Sequence, residues 1–154
     1  MVQDKDRHIK DVMTPEVVTL APTAKAKEAA ALMRSLNIGA IPICKGTHLM
    51  GMVTDRDLVL RVMAEGLNAE HEIMQTVMTS DVDYCYEDQT VEEAAQVMQD
   101  RQVRRLPIIN RENELVGIVS LGDVAVKGTD RMTTATALEE ISLPAEPKRN
   151  ADEG

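Results

Sequence analysis

With 154 residues the chain has room for one domain or two small packed repeats, and its core must be built from Ile, Val, Leu, Ala and ten Met, because it has no Phe, no Trp and only Tyr84 and Tyr86. So few rings exclude base stacking on aromatic side chains and aromatic cages for quaternary amines. A net charge of −9, from 17 Lys and Arg against 26 Asp and Glu, argues against a nucleic-acid partner while leaving room for a small, locally basic anion site.

The polar start Met1-Val2-Gln3-Asp4-Lys5-Asp6 lacks the apolar run of a secretory signal, and no stretch reaches the length of a membrane span, so a soluble, cytoplasmic chain with no membrane contact is expected. A lead-in, Val12-Met13-Thr14-Pro15, is followed by a short extended piece, Val17 to Leu20. Ala26, Ala29, Ala30, Met33 and Leu36 then recur every three or four residues and predict a helix; Lys25 is a weak cap for it, with Thr23 as the alternative. Ile41-Pro42-Ile43-Cys44 and Leu49 to Val53 predict a hairpin around the four-residue loop Lys45-Gly46-Thr47-His48, and a second helix runs from Asp55 through Met63.

From there the order repeats. Val12-Met13-Thr14-Pro15 returns as Val77-Met78-Thr79-Ser80 at an offset of 65, and Glu28-Ala29-Ala30, Met33 and Pro42-Ile43 match Glu93-Ala94-Ala95, Met98 and Pro107-Ile108. After one extra residue Gly51-Met52-Val53-Thr54 meets Gly117-Ile118-Val119-Ser120, with Asp57 on Asp123. The second copy has its extended piece at Val82 to Tyr86, a helix marked by the capping-box spacing of Thr90 and Glu93, and a last helix from about Leu121 through Val126. The chain is thus expected to be α/β (α+β): two tandem β-α-β-β-α repeats, residues 1–66 and 67–128, packed pseudo-symmetrically into one module because neither buries its apolar face alone. Residues 129–154 are expected to add a short helix, Thr133 to Ile141, and a disordered polar tail.

The doubled unit, with its Val-Met-Thr lead-in, its Gly39-Ala40-Ile41-Pro42-Ile43 strand and its Gly-h-h-Thr/Ser-x-x-Asp segment, resembles the CBS-domain pair, or Bateman module. Thr54-Asp55-Arg56-Asp57 and Val103-Arg104-Arg105-Leu106-Pro107 are similar, more narrowly, to small stand-alone bacterial proteins that consist of such a pair; the likeness covers roughly residues 8 to 128. It implies a regulatory module that requires no cofactor and binds AMP, ADP, ATP or S-adenosylmethionine in clefts between the repeats, often as a homodimer.

The residues suit that task. Thr54 with Asp57, and Ser120 with Gly122 and Asp123, place a hydroxyl and a carboxylate at a strand-to-helix junction, where the carboxylate can accept from a ribose diol and the hydroxyl and helix amides favour phosphate. A carboxylate in a first helical turn is also favoured with no ligand present, and the double occurrence weighs toward a ligand. By the resemblance, Gly39, Ala40 and Ile41 lie beside the Asp57 site and Arg104, Arg105 and Leu106 beside the Asp123 site, while the lead-ins near Val12 and Val77 line the Asp123 and Asp57 sites respectively. Arg104, Arg105 and the nearby Arg101 form a local positive cluster, and a phosphate-bearing nucleotide is accordingly expected at the Asp123 site; arginines on a solvated face are the plainer alternative.

No nucleophile with an adjacent base stands out, so no catalytic residue is expected. Cys44 and His48 flank a hairpin loop and are too few for a zinc site; Cys44 and Cys85 are expected to be buried reduced thiols. Two other readings stay open: a structural or protein-interaction module with empty clefts, and a metal- or redox-responsive protein. Leu58, Val59, Val62 and Met63, with Val124 to Val126, offer more apolar helix surface than one packed face consumes, the basis for expecting a homodimer; any protein target is unknown.

Overall fold

The computed structural model describes residues 7–127. The expectations for a C-terminal helix and tail lie outside these residues.

A 3₁₀ turn, Ile9–Asp11, leads to β1 (Thr14–Pro15), then to α1 (Ala26–Leu36), β2 (Ala40–Lys45), β3 (His48–Thr54) and α2 (Asp55–Leu58). The last runs directly into a π-wound stretch, Val59–Met63. The second repeat gives α3 (Met74–Val77), β4 (Cys85–Tyr86), α4 (Val91–Arg101), β5 (Arg105–Ile109), β6 (Leu115–Ser120) and α5 (Leu121–Lys127). Strands and helices thus follow the expected mixed α+β order in both copies.

Three local expectations are corrected. Strand pairing extends to Lys45 and His48, so the first hairpin loop is the two residues Gly46-Thr47, made possible by the positive φ of 63° at Gly46. Val17 to Leu20 forms no strand; only Leu20 bridges, to Ile43, and in the second copy pairing is confined to Cys85 and Tyr86. Lys25, not Thr23, is the N-cap of α1, and it has no side-chain cap bond, whereas the Thr90 hydroxyl accepts from the Glu93 amide at 3.1 Å as the spacing requires.

The two sheets are built alike. In the second, β4, β5, β6 and β1 lie side by side, with β4–β5 parallel and the other pairs antiparallel. In the first, β2 and β3 are flanked by single bridges, Leu20 to Ile43 and Thr79 to Met52, at positions equivalent to β4 and β1. The lead-in segments are therefore exchanged: β1, at the start of the first repeat, pairs with β6 of the second, and Thr79, at the start of the second, pairs with β3 of the first.

The cores show the same exchange. Ile9 and Val12 are buried with Val91, Met98, Leu106 and Ile108, while Met74 and Val77 are buried with Ala29, Met33, Ile41 and Ile43. Neither core closes without residues from the other repeat, so the repeats stand or fall together. At the hairpin tips a further link joins them: the Thr47 hydroxyl donates to Glu114 Oε2 at 2.9 Å and the Leu115 amide to the Thr47 carbonyl at 2.9 Å. Hydrogen bonds from Asn110 and Thr47 hold the Glu114 carboxyl below the usual range.

Candidate ligand-binding cleft

A cavity of about 380 Å³, within the size range of small-molecule sites, opens between the two sheets. The first repeat contributes Ala40, Met52, Thr54 and Asp57 to its wall, and the second contributes Val103, Arg104, Arg105 and Pro107. The segment after the second lead-in, Thr79 with Asp81, Val82 and Asp83, closes it.

Strand alternation explains who faces in. Successive side chains of a strand point to opposite faces, so Ile41 and Ile43, and likewise Leu106 and Ile108, are buried beneath the helices while Ala40, Arg105 and Pro107 are turned to the cleft. Ile41 and Leu106, expected beside a ligand, are therefore core residues, each fully buried. Val12 and Val77 are core residues as well; the lining begins two positions beyond Val77, at Thr79, which pairs with Met52 of β3, and continues through Asp81 to Asp83. Gly39 does not line the cavity either. Its carbonyl accepts from the Asp55 amide at 3.0 Å to start α2, and the Arg104 carbonyl does the same for Leu121 at 2.8 Å. The two positions share one main-chain task, and only the second carries a side chain that reaches the cleft.

The grouping of the arginines also changes. Arg104 and Arg105 share the cavity with Thr54 and Asp57, and Ser120, Gly122 and Asp123 are not in its wall. Arg101, expected in the same positive cluster, is instead paired with Asp83 at 3.3 Å. Among the described residues no ion pair or side-chain hydrogen bond engages the guanidinium of Arg104 or of Arg105.

Both Thr/Ser-x-x-Asp segments are reciprocal capping boxes. Asp57 Oδ2 accepts from the Thr54 amide at 2.9 Å and the Thr54 hydroxyl accepts from the Asp57 amide at 3.1 Å; Ser120 and Asp123 repeat this at 2.9 and 3.0 Å. One oxygen of each carboxylate is thus committed to the helix start. Asp57, which lines the cavity, keeps Oδ1 out of the cap, with Arg61 Nη2 at 3.8 Å. Sequence reasoning missed Met52, Thr79, Asp81, Val82, Asp83, Val103 and Pro107 as wall residues, although the alternation that buries Leu106 was available to place Pro107.

The thiols lie apart from this chemistry. Cys44 and Cys85 are free and buried, burial raises both, and the Cys85 thiol is pushed up to about 11. Among the described residues no three His, Cys, Asp or Glu side chains are grouped to hold a metal ion, and no helix is long and apolar enough to cross a membrane. On the outer helical side a second hollow of about 420 Å³ is lined by apolar residues of α1, α2 and the π-wound stretch, including Ala30, Met33, Leu58, Val59 and Met63.

Comparison with known proteins agrees with the doubled architecture. YhcV of Bacillus subtilis, a CBS domain-containing protein, is 41% identical over 134 residues, 87% of this chain and 94% of its own length. Hypoxic response protein 1 of Mycobacterium tuberculosis is 36% identical over 117 residues, 75% of this chain and 81% of its own. The crystal structure of Hypoxic Response Protein I with two coordinated zinc ions superposes with a TM-score of 0.70 at 34% identity, covering 77% of this chain and 96% of that one. CBSX2 in complex with AMP has the same fold, with a TM-score of 0.68 at 23% identity over 77% of this chain and 93% of its own. An inosine-5′-monophosphate dehydrogenase of Methanocaldococcus jannaschii is 32% identical to this chain, but over only 22% of that enzyme's length. The CBS domain family model matches residues 9–64 and again 72–127, and the chain, with its two interlocked β-α-β-β-α repeats, belongs to the CBS domain family.

Proposed function

We propose that the cavity at Asp57 binds a phosphate-bearing adenosyl ligand and that the chain is a non-catalytic regulatory module acting through it. The observation that carries this reading is the pair Arg104 and Arg105: two adjacent guanidinium groups in one cavity wall, neither in an ion pair among the described residues, on a chain of net charge −9. Arg111 is matched with Asp88 at 2.8 Å and Arg101 with Asp83 at 3.3 Å; Arg34 and Arg56 are in no ion pair among the described residues either, but they do not line this cavity, and it is the place of Arg104 and Arg105 in one wall that points to a ligand. Two guanidinium groups in one wall with Asp57, whose Oδ1 lies outside the helix cap with Arg61 Nη2 at 3.8 Å, suit a nucleotide, the guanidinium forks taking phosphate oxygens and Asp57 Oδ1 accepting from a sugar hydroxyl. Ala40, Met52, Val82 and Val103 supply aliphatic faces for a flat base, so the lack of aromatic rings is no obstacle. The fold holds AMP in CBSX2, which supports the class of ligand. The phosphate site is thus proposed at Asp57, not at Asp123.

The module is proposed to act as a homodimer in the cytoplasm, with a protein target yet to be identified. Buried reduced thiols fit that compartment.

Isothermal titration with AMP, ADP, ATP and S-adenosylmethionine tests the site. A phosphate-bearing ligand is expected to bind, and Arg104→Ala with Arg105→Ala is expected to weaken it at least about tenfold, since one hydrogen bond to a charged group contributes roughly 1.5–3 kcal/mol. Asp57→Asn should weaken the same ligand, and Asp123→Ala should leave it bound. Heat from none of the four ligands, with a thermal shift from zinc alone, would move the reading to a metal-responsive protein.

A further inference from the structure

Arg61 has no part in the expectations drawn from sequence, yet it links Asp57 of the cleft wall to the lead-in of the second repeat. It sits in the π-wound stretch Val59–Met63, one turn beyond Asp57. Its Nη1 donates to the carbonyl of Val77 at 2.9 Å and to that of Met78 at 3.0 Å, and its Nη2 lies 3.8 Å from Asp57 Oδ1. The two carbonyls are the end of α3, where backbone acceptors lack helical partners and a cation is favoured. Beyond Met78 the chain straightens, Thr79 exchanges two backbone hydrogen bonds with Met52 at 2.9 and 2.8 Å, and the strap then forms the cavity wall through Asp81, Val82 and Asp83.

One guanidinium therefore joins the carboxylate on one wall to the root of the strap that makes another. The geometry suits Arg and no other residue: a rigid fork can meet two successive carbonyls and a carboxylate at once, and an ammonium group cannot span them as well. The widened winding at Val59–Met63 brings Arg61 to this position, and π-wound turns are found preferentially at functional sites. The Asp57 side chain is only 13% exposed against 47% for Arg61, so Arg61 covers a carboxylate that is already largely buried.

We propose that Arg61 is a positioning residue of the cleft, which fixes Asp57 Oδ1 and holds the strap of residues 79–83 against it, so that ligand binding and strap order are coupled. This rests on reading the cavity as the ligand site. The coupling is local and physical: losing Arg61 frees the carboxylate and the strap together, and the cost of ordering both then falls on the ligand.

The test combines AMP titration with native-state hydrogen exchange at the Thr79 amide, on the wild type, Arg61→Met, Arg61→Lys, Asp57→Asn and the Arg61→Met/Asp57→Asn pair. Arg61→Met is expected to weaken AMP about tenfold and to speed Thr79 exchange about tenfold, with Arg61→Lys between it and the wild type. Because Arg61 acts on the ligand partly through Asp57, the paired variant should lose less than the product of the single losses. Wild-type exchange and affinity in Arg61→Met, or fully multiplicative losses in the pair, would overturn the proposal. If Arg61→Met does not fold, Arg61→Lys and the same two readouts decide. Should the wild type bind none of AMP, ADP and ATP, the ligand reading fails on its own, and the exchange rates still decide whether Arg61 holds the strap.

Discussion

Two glycines show how closely the exchanged segments lie. A Cβ added at Gly51 would stand 2.6 Å from the Thr79 carbonyl oxygen and 2.8 Å from Met78 Sδ; at Gly117, the equivalent position, it would stand 2.5 Å from Met13 Sδ and 2.9 Å from the Thr14 carbonyl oxygen. A methionine sulfur can swing aside, but a carbonyl held in a strand pairing cannot. Gly51→Ala is accordingly expected to cost about 1–3 kcal/mol in urea denaturation, the range for overpacked sites. Gly122→Ala, whose Cβ would meet only the Ser120 hydroxyl at 3.6 Å, should stay within about 0.5 kcal/mol of the wild type. An unchanged midpoint for Gly51→Ala would mean that the Met78–Thr79 segment is not held against β3. At this scale the site was only partly legible. Thr54 and Asp57 stand out in the sequence by type and spacing, and Ala40, Arg104 and Arg105 are named through the family resemblance, whereas Asp81 and Asp83 lie in a loop whose sequence carries no such signal. The sequence groups the arginines with Asp123, whereas Arg105, though paired with Ser120 along the strands, lines the cavity shared with Asp57.

The helices differ between copies most at their starts. α1 begins at Lys25, whose amide donates to Glu28 at 3.3 Å but whose side chain caps nothing, while Thr90 and Glu93 complete both halves of the box at 3.1 and 2.8 Å. Lys25 already has the extended φ and ψ of a cap residue, −85° and 153°, so a hydroxyl there needs no backbone change. Lys25→Thr should raise stability by about 0.5–1 kcal/mol and Thr90→Ala should lower it by about 1 kcal/mol, read as opposite shifts in the urea midpoint. Equal midpoints for Lys25→Thr and the wild type would show that the loop before α1 fixes the helix start unaided. The elements themselves were legible: periodicity placed α1, the first hairpin and the helix of residues 55–63 within a residue or two, and the repeat carried the hairpin into the second copy. Its π winding was not legible, because apolar spacing over nine residues does not separate a 3.6-residue turn from a wider one. The strands expected at Val17–Leu20 and Val82–Tyr86 shrank because pairing there is limited to one or two residues beside the central hairpin.

For the molecule as a whole, the exchange of lead-in segments makes two short repeats into one cooperative body, and it leaves apolar surface over on the outer helical side. Met63 is 73% exposed, Val59 48%, Leu67 46% and Leu60 45%, and Val59, Met63 and Leu67 border one apolar hollow with Leu58, Ala30 and Met33. A chain of net charge −9 has ample polar residues to cover this face, yet a connected group of large aliphatic side chains is left there, the pattern of a surface used for association. A second copy presenting the same face can fill the hollow by a two-fold, self-complementary contact, which closes the assembly and requires no further partner. Met63→Glu places a charge at the most exposed point of the patch, where a monomer tolerates it and a buried contact does not. Light scattering coupled to size exclusion should therefore give twice the chain mass for the wild type and the single chain mass for Met63→Glu, with the two unfolding at similar temperatures when compared at low protein concentration. A wild type that elutes as a monomer at high concentration would remove the dimer from the proposed function. The titrations at the Asp57 cleft would then be read for the single chain, with the wall of Thr54, Asp57, Arg104 and Arg105 as it stands here.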